Sequence, residues 1–452
     1  MMALIYRRNN IKILVIILML VSLGVVWRAK FVSHTSPAKE EDKSISADLP
    51  SKIADKVRSD APVLAQPVKE QSKNVSSRGY SLEEMREEAK KLNFIQLIKN
   101  KEKFGDHRAD DPVIVVQAHD RANLLKILFD SLREVKGIES ATLVISRDKF
   151  TPDMDNVIDK NLNFCRYVEI FFPFSMQLFP NKFPGEDPND CPRDISKSAA
   201  MKQGCNNAEC PDMYGHYREI KYVQLKHHWF WKLNMVFSGI RELNGNTGPI
   251  LLLEDDNYVI PDVIDVMKKA VLLRDSECKD CLAITLGAYD FTTDYRFNGA
   301  DAHVKPWVSS KHNIGMVINQ QFFDKITSCS KYFCTYDDYN WDWTLQSTAL
   351  KCFSDIHLYS LILKVPRVYH LGCTGFHQKP AGGKCDIAAE VEKLRGLLRK
   401  EASNLFPPTL FLKSSSKSPN SPHVQNGGWG DIRDHELCQS YTSLCKEYLN
   451  LG

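Results

Sequence analysis

The sequence predicts an α/β protein built on a mostly parallel sheet flanked by helices, and three observations predict it. Short β-branched apolar runs recur at Pro112 to Ala118, Ala141 to Ile145, Val168 to Phe172 and Pro249 to Leu253. Segments of helical periodicity alternate with them, at Asn123 to Leu132 and Lys226 to Leu243. Three of the runs stop at a polar cluster: His119-Asp120-Arg121, Ser146-Arg147-Asp148 and Glu254-Asp255-Asp256. Strands alternating with helices argue for a parallel sheet, and ligands of such sheets sit beyond the carboxyl ends of the strands.

Taken in order, the chain opens with a basic tail, residues 1–12, carrying Arg7, Arg8 and Lys12. The uncharged run Ile13 to Trp27 follows, closed by Arg28 and Lys30, and residues 13–30 read as a transmembrane signal anchor. A cleaved signal peptide is the alternative, but no small-x-small cleavage pattern follows Trp27. Residues 31–80 are rich in Ser, Pro, Lys and acids and nearly lack aromatics, so they read as a stem that cannot offset its ordering entropy. The stem holds Asn74-Val75-Ser76, a glycosylation sequon. At Ser81-Leu82-Glu83-Glu84 a capping-box pattern begins a helix expected to run through Ile98, and residues 81–452 are assigned to one globular domain.

At 452 residues, with 43% hydrophobic and 25% charged side chains, the chain can bury a large core. The first 30 residues hold five basic groups and no acid; removing those five from the net +3 leaves the rest at −2. That excludes a dense nucleic-acid-binding face. All thirteen cysteines lie beyond residue 160, which suits an oxidising lumen and so a type II topology. Cys278-Lys279-Asp280-Cys281 lacks the second matched pair a structural zinc needs, so disulfides are the better reading. Thirteen is odd, so at least one thiol is free or pairs with another chain.

Four constellations could carry chemistry. Leu251 to Tyr258 (LLLEDDNY) places three carboxylates after an apolar strand, which is costly unless a cation such as Mg²⁺ or Mn²⁺ neutralises them. If the strand geometry persists, Glu254 and Asp256 share one face and Asp255 the other. Cys334 to Gln346 sets Asp337, Asp338 and Asp342 among Tyr and Trp residues, where a carboxylate can be tuned toward general-base work; on a helix Asp338 and Asp342 share a face. Gln224 to Leu233 (QLKHHWFWKL) mixes basic and aromatic groups that could grip a phosphate or a sugar, or simply build core. Val368 to His377 contains His370, of interest only if it meets the acidic cluster in space.

The runs VQAHDR (Val116 to Arg121), FFPFSMQLFPNKFPGEDPNDCPRD (Phe171 to Asp194), KHHWFWKL (Lys226 to Leu233), LLLEDD (Leu251 to Asp256), FCTYDDYNWDWTLQ (Phe333 to Gln346) and NGGWGDIRDHELC (Asn426 to Cys438) resemble the N-acetylglucosaminyltransferase II family. The likeness extends roughly from Leu92 to the C-terminus. It implies a GT-A glycosyltransferase fold, a single-pass type II Golgi membrane protein, and inverting, Mn²⁺-dependent transfer of GlcNAc from UDP-GlcNAc. The acceptor it implies is the 2-hydroxyl of the α1,6-arm mannose of an N-glycan whose other arm already carries GlcNAc. By resemblance Asp256 and His370 are metal ligands and Asp342 is the base. Gln117, Ala118, His119, Asp120, Arg121, Asp148, Gln224, Leu225, Lys226, His227 and His228 fall in substrate-contacting stretches. The resemblance also implies disulfides Cys191 with Cys205, Cys278 with Cys281, Cys329 with Cys352, Cys334 with Cys438 and Cys373 with Cys385, leaving Cys165, Cys210 and Cys445. Two departures touch acceptor affinity: Thr293 replaces the family's arginine, and the Cys373 to Cys385 loop differs in length. A homodimer is left open. The rival readings are a sister transferase of the α1,3 arm and an anchored glycan-binding module without catalysis.

Overall fold

The computed structural model describes residues 79–289, 292–353, 357–372, 386–418 and 422–450. The anchor, most of the stem, Asn74, and the Cys373 and Cys385 pair lie outside them. Among the described residues no helix is long and apolar enough to cross a membrane.

Helix α1 (Leu82–Ile95) starts on the capping box expected, Ser81 accepting from the Glu84 amide and Glu84 reaching back to Ser81. It ends three residues before Ile98, because Gln96 takes a left-handed conformation and its side-chain amide donates to the carbonyls of Asn93 and Gly239. The apolar runs become β1 (Val113–Ala118), β2 (Thr142–Arg147), β3 (Arg166–Phe171) and β4 (Ile250–Glu254). Between them run α2 (Ala122–Arg133), α3 (Pro152–Asn161) and α4 (Ile220–Ser238). Helix α4 begins six residues earlier than its apolar pattern suggests and stops at Gly239; Arg241–Leu243 is only a 3₁₀ turn.

These four strands are mutually parallel in the order β3-β2-β1-β4. The chain order reverses beside β1, so the carboxyl ends of β1, β2 and β4 open onto one crevice. The sheet has nine strands in all, continuing from β4 through β8 (Met316–Ile318), β6 (Cys281–Thr285), β9 (Tyr359–Leu363), β7 (Asp301–Pro306) and β11 (Phe411–Ser415). This half is mixed: β8 runs antiparallel to both neighbours and β7 antiparallel to β9. Helix α2 and helix α5 (Val263–Glu277) bury their apolar stripes in the same core as the strands.

Outside the sheet, β5 (Asn257–Val259) and β10 (Val368–His370) form an antiparallel ribbon that pairs His370 with Asn257. Helix α6 (Trp341–Lys351) carries Asp342 in its first turn, and α7 (Ile432–Asn450) packs on α4.

Disulfides join Cys191 to Cys205, Cys278 to Cys281, Cys329 to Cys352 and Cys334 to Cys438; Cys165, Cys210 and Cys445 are free. The Cys334 bridge closes a span of 104 residues and fastens α7 beside the turn that precedes α6. Replacing both its cysteines with Ala is expected to lower stability by about 4 kcal/mol, chiefly by freeing the unfolded chain, as read by reversible denaturant unfolding.

Candidate functional site

The acidic triplet does not remain extended. After Glu254 the backbone turns, so Asp255 and Asp256 both swing toward β1 instead of alternating. Arg121, just past the carboxyl end of β1, binds the two together: Nη1 donates to Asp256 Oδ2 at 2.7 Å and Nη2 to Asp255 Oδ1. The His119 amide donates to Asp255 Oδ2 at 3.2 Å. Burial pushes Asp255 up to about 7 despite the arginine. Burial also opposes ionisation of Asp256, but the hydrogen bond to His370 and the Arg121 charge outweigh it and hold that carboxyl below its ordinary value.

The β5/β10 ribbon delivers His370 to this turn across 114 residues of chain, and the Leu371 amide donates to the Asp256 carbonyl at 2.9 Å. His370 Nε2 stands 3.3 Å from Asp256 Oδ2. Burial alone depresses the imidazole, yet the Asp256 contact raises it above its usual value. An oxygen and an imidazole nitrogen at this spacing can share one divalent ion of the Mn²⁺ class. Among the described residues no group of three or more His, Cys, Asp or Glu is placed to hold a metal ion. The Gly372 amide donates to His370 Nδ1 at 3.2 Å, which in the neutral ring leaves the proton on Nε2. A cation on Nε2 requires the other tautomer, hence release of that amide.

A second hub surrounds Asp148, past the end of β2. His119 Nδ1 lies 2.6 Å from Oδ1, while Gln224 Nε2 donates to Oδ2 at 2.8 Å and His228 Nδ1 lies 3.5 Å away. Burial opposes its charge, but these partners hold Asp148 far below the usual carboxylate range. His228 Nε2 reaches Ser146 Oγ at 2.8 Å, and the Gln224 side-chain oxygen Oε1 accepts from the Met176 amide at 2.7 Å. Gln117 accepts from Lys232 at 2.7 Å, Asp120 from Lys149 at 2.7 Å, Ala118 is buried in the core and Leu225 is half-buried on α4. Thus Gln117, His119, Arg121, Asp148, Gln224 and His228 converge on the crevice, linked through residues 117–121.

Lys226 and His227 do not join them. His227 is buried between Asp434, 2.9 Å from Nε2, and Tyr441, whose hydroxyl is 2.7 Å from Nδ1. Lys226 is spent on backbone carbonyls beneath α6. Helical geometry explains this, since successive residues of a helix interior face different neighbours.

A cleft with about 460 Å³ of empty space, open solvent included, is lined by Lys232, Glu254, Tyr289, Asn313, Trp341 and His370 among others. Trp341 stacks on Trp229 with ring centres 4.4 Å apart. Asn313 Nδ2 donates to Asp342 Oδ2 at 3.1 Å, so the α6 carboxylate sits at the cleft's edge, and burial raises its pKa. The Tyr289 ring meets His370 edge-on at 6.1 Å, and the charges of Glu254, Asp256 and Asp342 all act on its hydroxyl. Asp338, in contrast, is not on α6: its carboxylate accepts from the amides of Asn340 and Asn426, capping the turn before the helix. Thr293 is exposed.

Sequence reasoning missed Lys232, Tyr289 and Asn313. Lys232 lies in a run already singled out, and Tyr289 follows the end of β6, the usual place for ligand contacts in α/β sheets. Asn313 follows a four-residue helix and carries no local signal.

Residues 86–438 match the family model described as N-acetylglucosaminyltransferase II (MGAT2). A Sus scrofa protein named alpha-1,6-mannosyl-glycoprotein 2-beta-N-acetylglucosaminyltransferase is 43% identical over 353 residues, covering 78% of this chain and 78% of that one. The Rattus norvegicus protein of that name is 44% identical over 356 residues, covering 78% and 79%, and that of Arabidopsis thaliana 30% over 354, covering 76% and 78%. The Arg121-clamped turn, His370 and the α6 carboxylate all fall inside the matched span, and the chain belongs to the N-acetylglucosaminyltransferase II family.

Proposed function

We propose that this chain is an inverting glycosyltransferase of GT-A type that moves GlcNAc from UDP-GlcNAc to the 2-hydroxyl of the α1,6-arm mannose of an N-glycan. The observation that carries the reading is one cleft lined by His370, whose Nε2 stands 3.3 Å from Asp256, and by Trp341 and Asn313, which adjoin Asp342 in sequence and by hydrogen bond, with Tyr289 under the charge of both carboxylates. The relatives' printed name, which specifies an α1,6-mannosyl acceptor and a 2-β linkage, supports the choice of acceptor.

Asp256 and His370 would hold Mn²⁺, which when bound supplies Lewis-acid neutralisation of charge on a departing diphosphate. The chain's own residues do the rest. Asp342, its carboxylate steadied by Asn313, takes the proton of the mannose hydroxyl as that oxygen bonds to the anomeric carbon. The bond from that carbon to the diphosphate oxygen breaks, and UDP departs with the electron pair. A single displacement from the opposite face inverts configuration and needs no protein nucleophile. The Asp148 hub, a buried carboxylate fixed by two histidines and a glutamine, suits polar recognition of the nucleotide end.

With the reading go a Golgi type II topology anchored by residues 13–30, a stem glycosylated at Asn74, and glycoprotein acceptors met in the lumen. A soluble fragment starting near Ser81, given UDP-GlcNAc, Mn²⁺ and defined N-glycans of either arm, is expected to add one GlcNAc in β1,2 linkage to the α1,6-arm mannose. Transfer to the α1,3 arm alone, or none, rejects the reading, with products read by mass and linkage.

A further inference from the structure

Lys226 lies on α4 between Gln224 and His228, yet it serves a different part of the molecule. Its side chain is fully buried, and Nζ donates to the carbonyl oxygens of Tyr336 and Asp338, both at 3.0 Å. The same nitrogen stands 4.1 Å from the centre of a Trp429 ring and 5.3 Å from that of Phe333. Asp338, Asp337 and Asp434 act on it through space, and none of them forms an ion pair with it. Burial pushes the amine well below its ordinary value, and an enclosed amine is costly unless dipoles and rings compensate it, so its two carbonyl partners are the informative feature.

Those carbonyls belong to the turn that launches α6. Asp338 O also accepts from Thr344 Oγ1 at 3.1 Å, inside the first turn of the helix. The Asp338 carboxylate takes the Asn340 amide at 2.9 Å and the Asn426 amide at 3.0 Å. Asp337 accepts from the amides of Met213 and Trp429. Asp342 follows Asn340 by two residues. The turn is therefore tied from several sides. From α4, the helix whose Gln224, His228 and Lys232 shape the nucleotide side of the crevice, Tyr222 packs on Tyr339 and Trp229 stacks on Trp341, while Lys226 adds hydrogen bonds to the turn's own backbone.

The geometry points to Lys226 as a positioning residue that sets the direction of the Asp342 carboxylate from the donor-side helix, in place of a contact with substrate. This rests on Asp342 being the base. Displacing a reacting group by about 1 Å can cost on the order of 100-fold in rate, so a tie on the helix origin acts on turnover while leaving nucleotide binding alone.

Lys226→Met keeps the aliphatic stem and removes the donors. Its kcat is expected to fall by about 30-fold or more, with the KM for UDP-GlcNAc and the affinity for UDP in Mn²⁺ within about threefold of the parent. Lys226→Arg, which restores donors that can reach the carbonyls, is expected to recover part of that loss. An unchanged kcat overturns the proposal. So does a donor KM raised about tenfold with kcat retained, which returns Lys226 to substrate contact. Should the Met variant fail to fold, Thr344→Val removes the hydroxyl on the same carbonyl; it is expected to lower kcat severalfold at constant donor KM, and unaltered turnover there also overturns the idea. Asp342→Asn is assayed alongside: if it transfers normally the base assignment itself fails, whereas an inert Asp342→Asn beside a fully active Lys226→Met sinks only the positioning role.

Discussion

Asp342→Asn is expected to bind UDP in Mn²⁺ like the parent and to lose about 10²- to 10⁴-fold in kcat, the usual contribution of a positioned general base. The amide is nearly isosteric, so the Asn313 contact and the first turn of α6 can persist, and the loss isolates proton removal. The pH dependence follows from the same environment. Burial raises the pKa of Asp342, and only the ionised form accepts a proton. The kcat of the parent should therefore fall as pH drops through a value above the ordinary carboxylate range, and be level above it. Undiminished transfer by the Asn variant in a radiolabelled UDP-GlcNAc assay, or a level profile down to the pKa of a free aspartate, rejects the assignment.

Asp256→Ala is expected to weaken UDP binding in Mn²⁺ by tenfold or more, about 1.4 kcal/mol or greater, while leaving the metal-free affinity where it was. The Asp256 oxygen is the point where His370 and Arg121 both arrive, so its removal also takes away one of the guanidinium's two carboxylate partners. His370→Ala separates the two effects, because it deletes a ligand and leaves the Arg121 clamp intact. Equal Mn²⁺-dependent affinities for the parent and both variants, measured by calorimetry, reject the metal assignment.

How much of this could be read from the chain depends on whether the signal was local. Strands β1 to β4 announce themselves because parallel strands buried on both faces need uninterrupted apolar runs, and their polar ends mark the crevice. In the remaining half of the sheet β8 has three residues and β11 is mostly exposed, so neither carries a pattern, while the buried runs of β6 and β9 went unread. The three-residue ribbon β5/β10 was equally invisible, and with it the meeting of His370 and Asp256, which backbone pairing decides. Glu254 to Asp256 misled because period-two reasoning holds only while a strand lasts. Asp338 misled because its carboxylate caps a turn, so that α6 starts three residues later. Lys226 and His227 were expected among the substrate contacts only because the resemblance covers the whole stretch 224–228, and a helix packed on nearly every side sends neighbouring residues to different surroundings.

The arginine grip on Asp255 and Asp256 gives the crevice a resident counterion. Two adjacent carboxylates that depended on a visiting metal would spring apart whenever it left, and each cycle would begin by rebuilding them. Here the guanidinium keeps them gathered, so the acidic turn holds its fold without a guest, and what a cation must still rearrange is confined to the His370 ring.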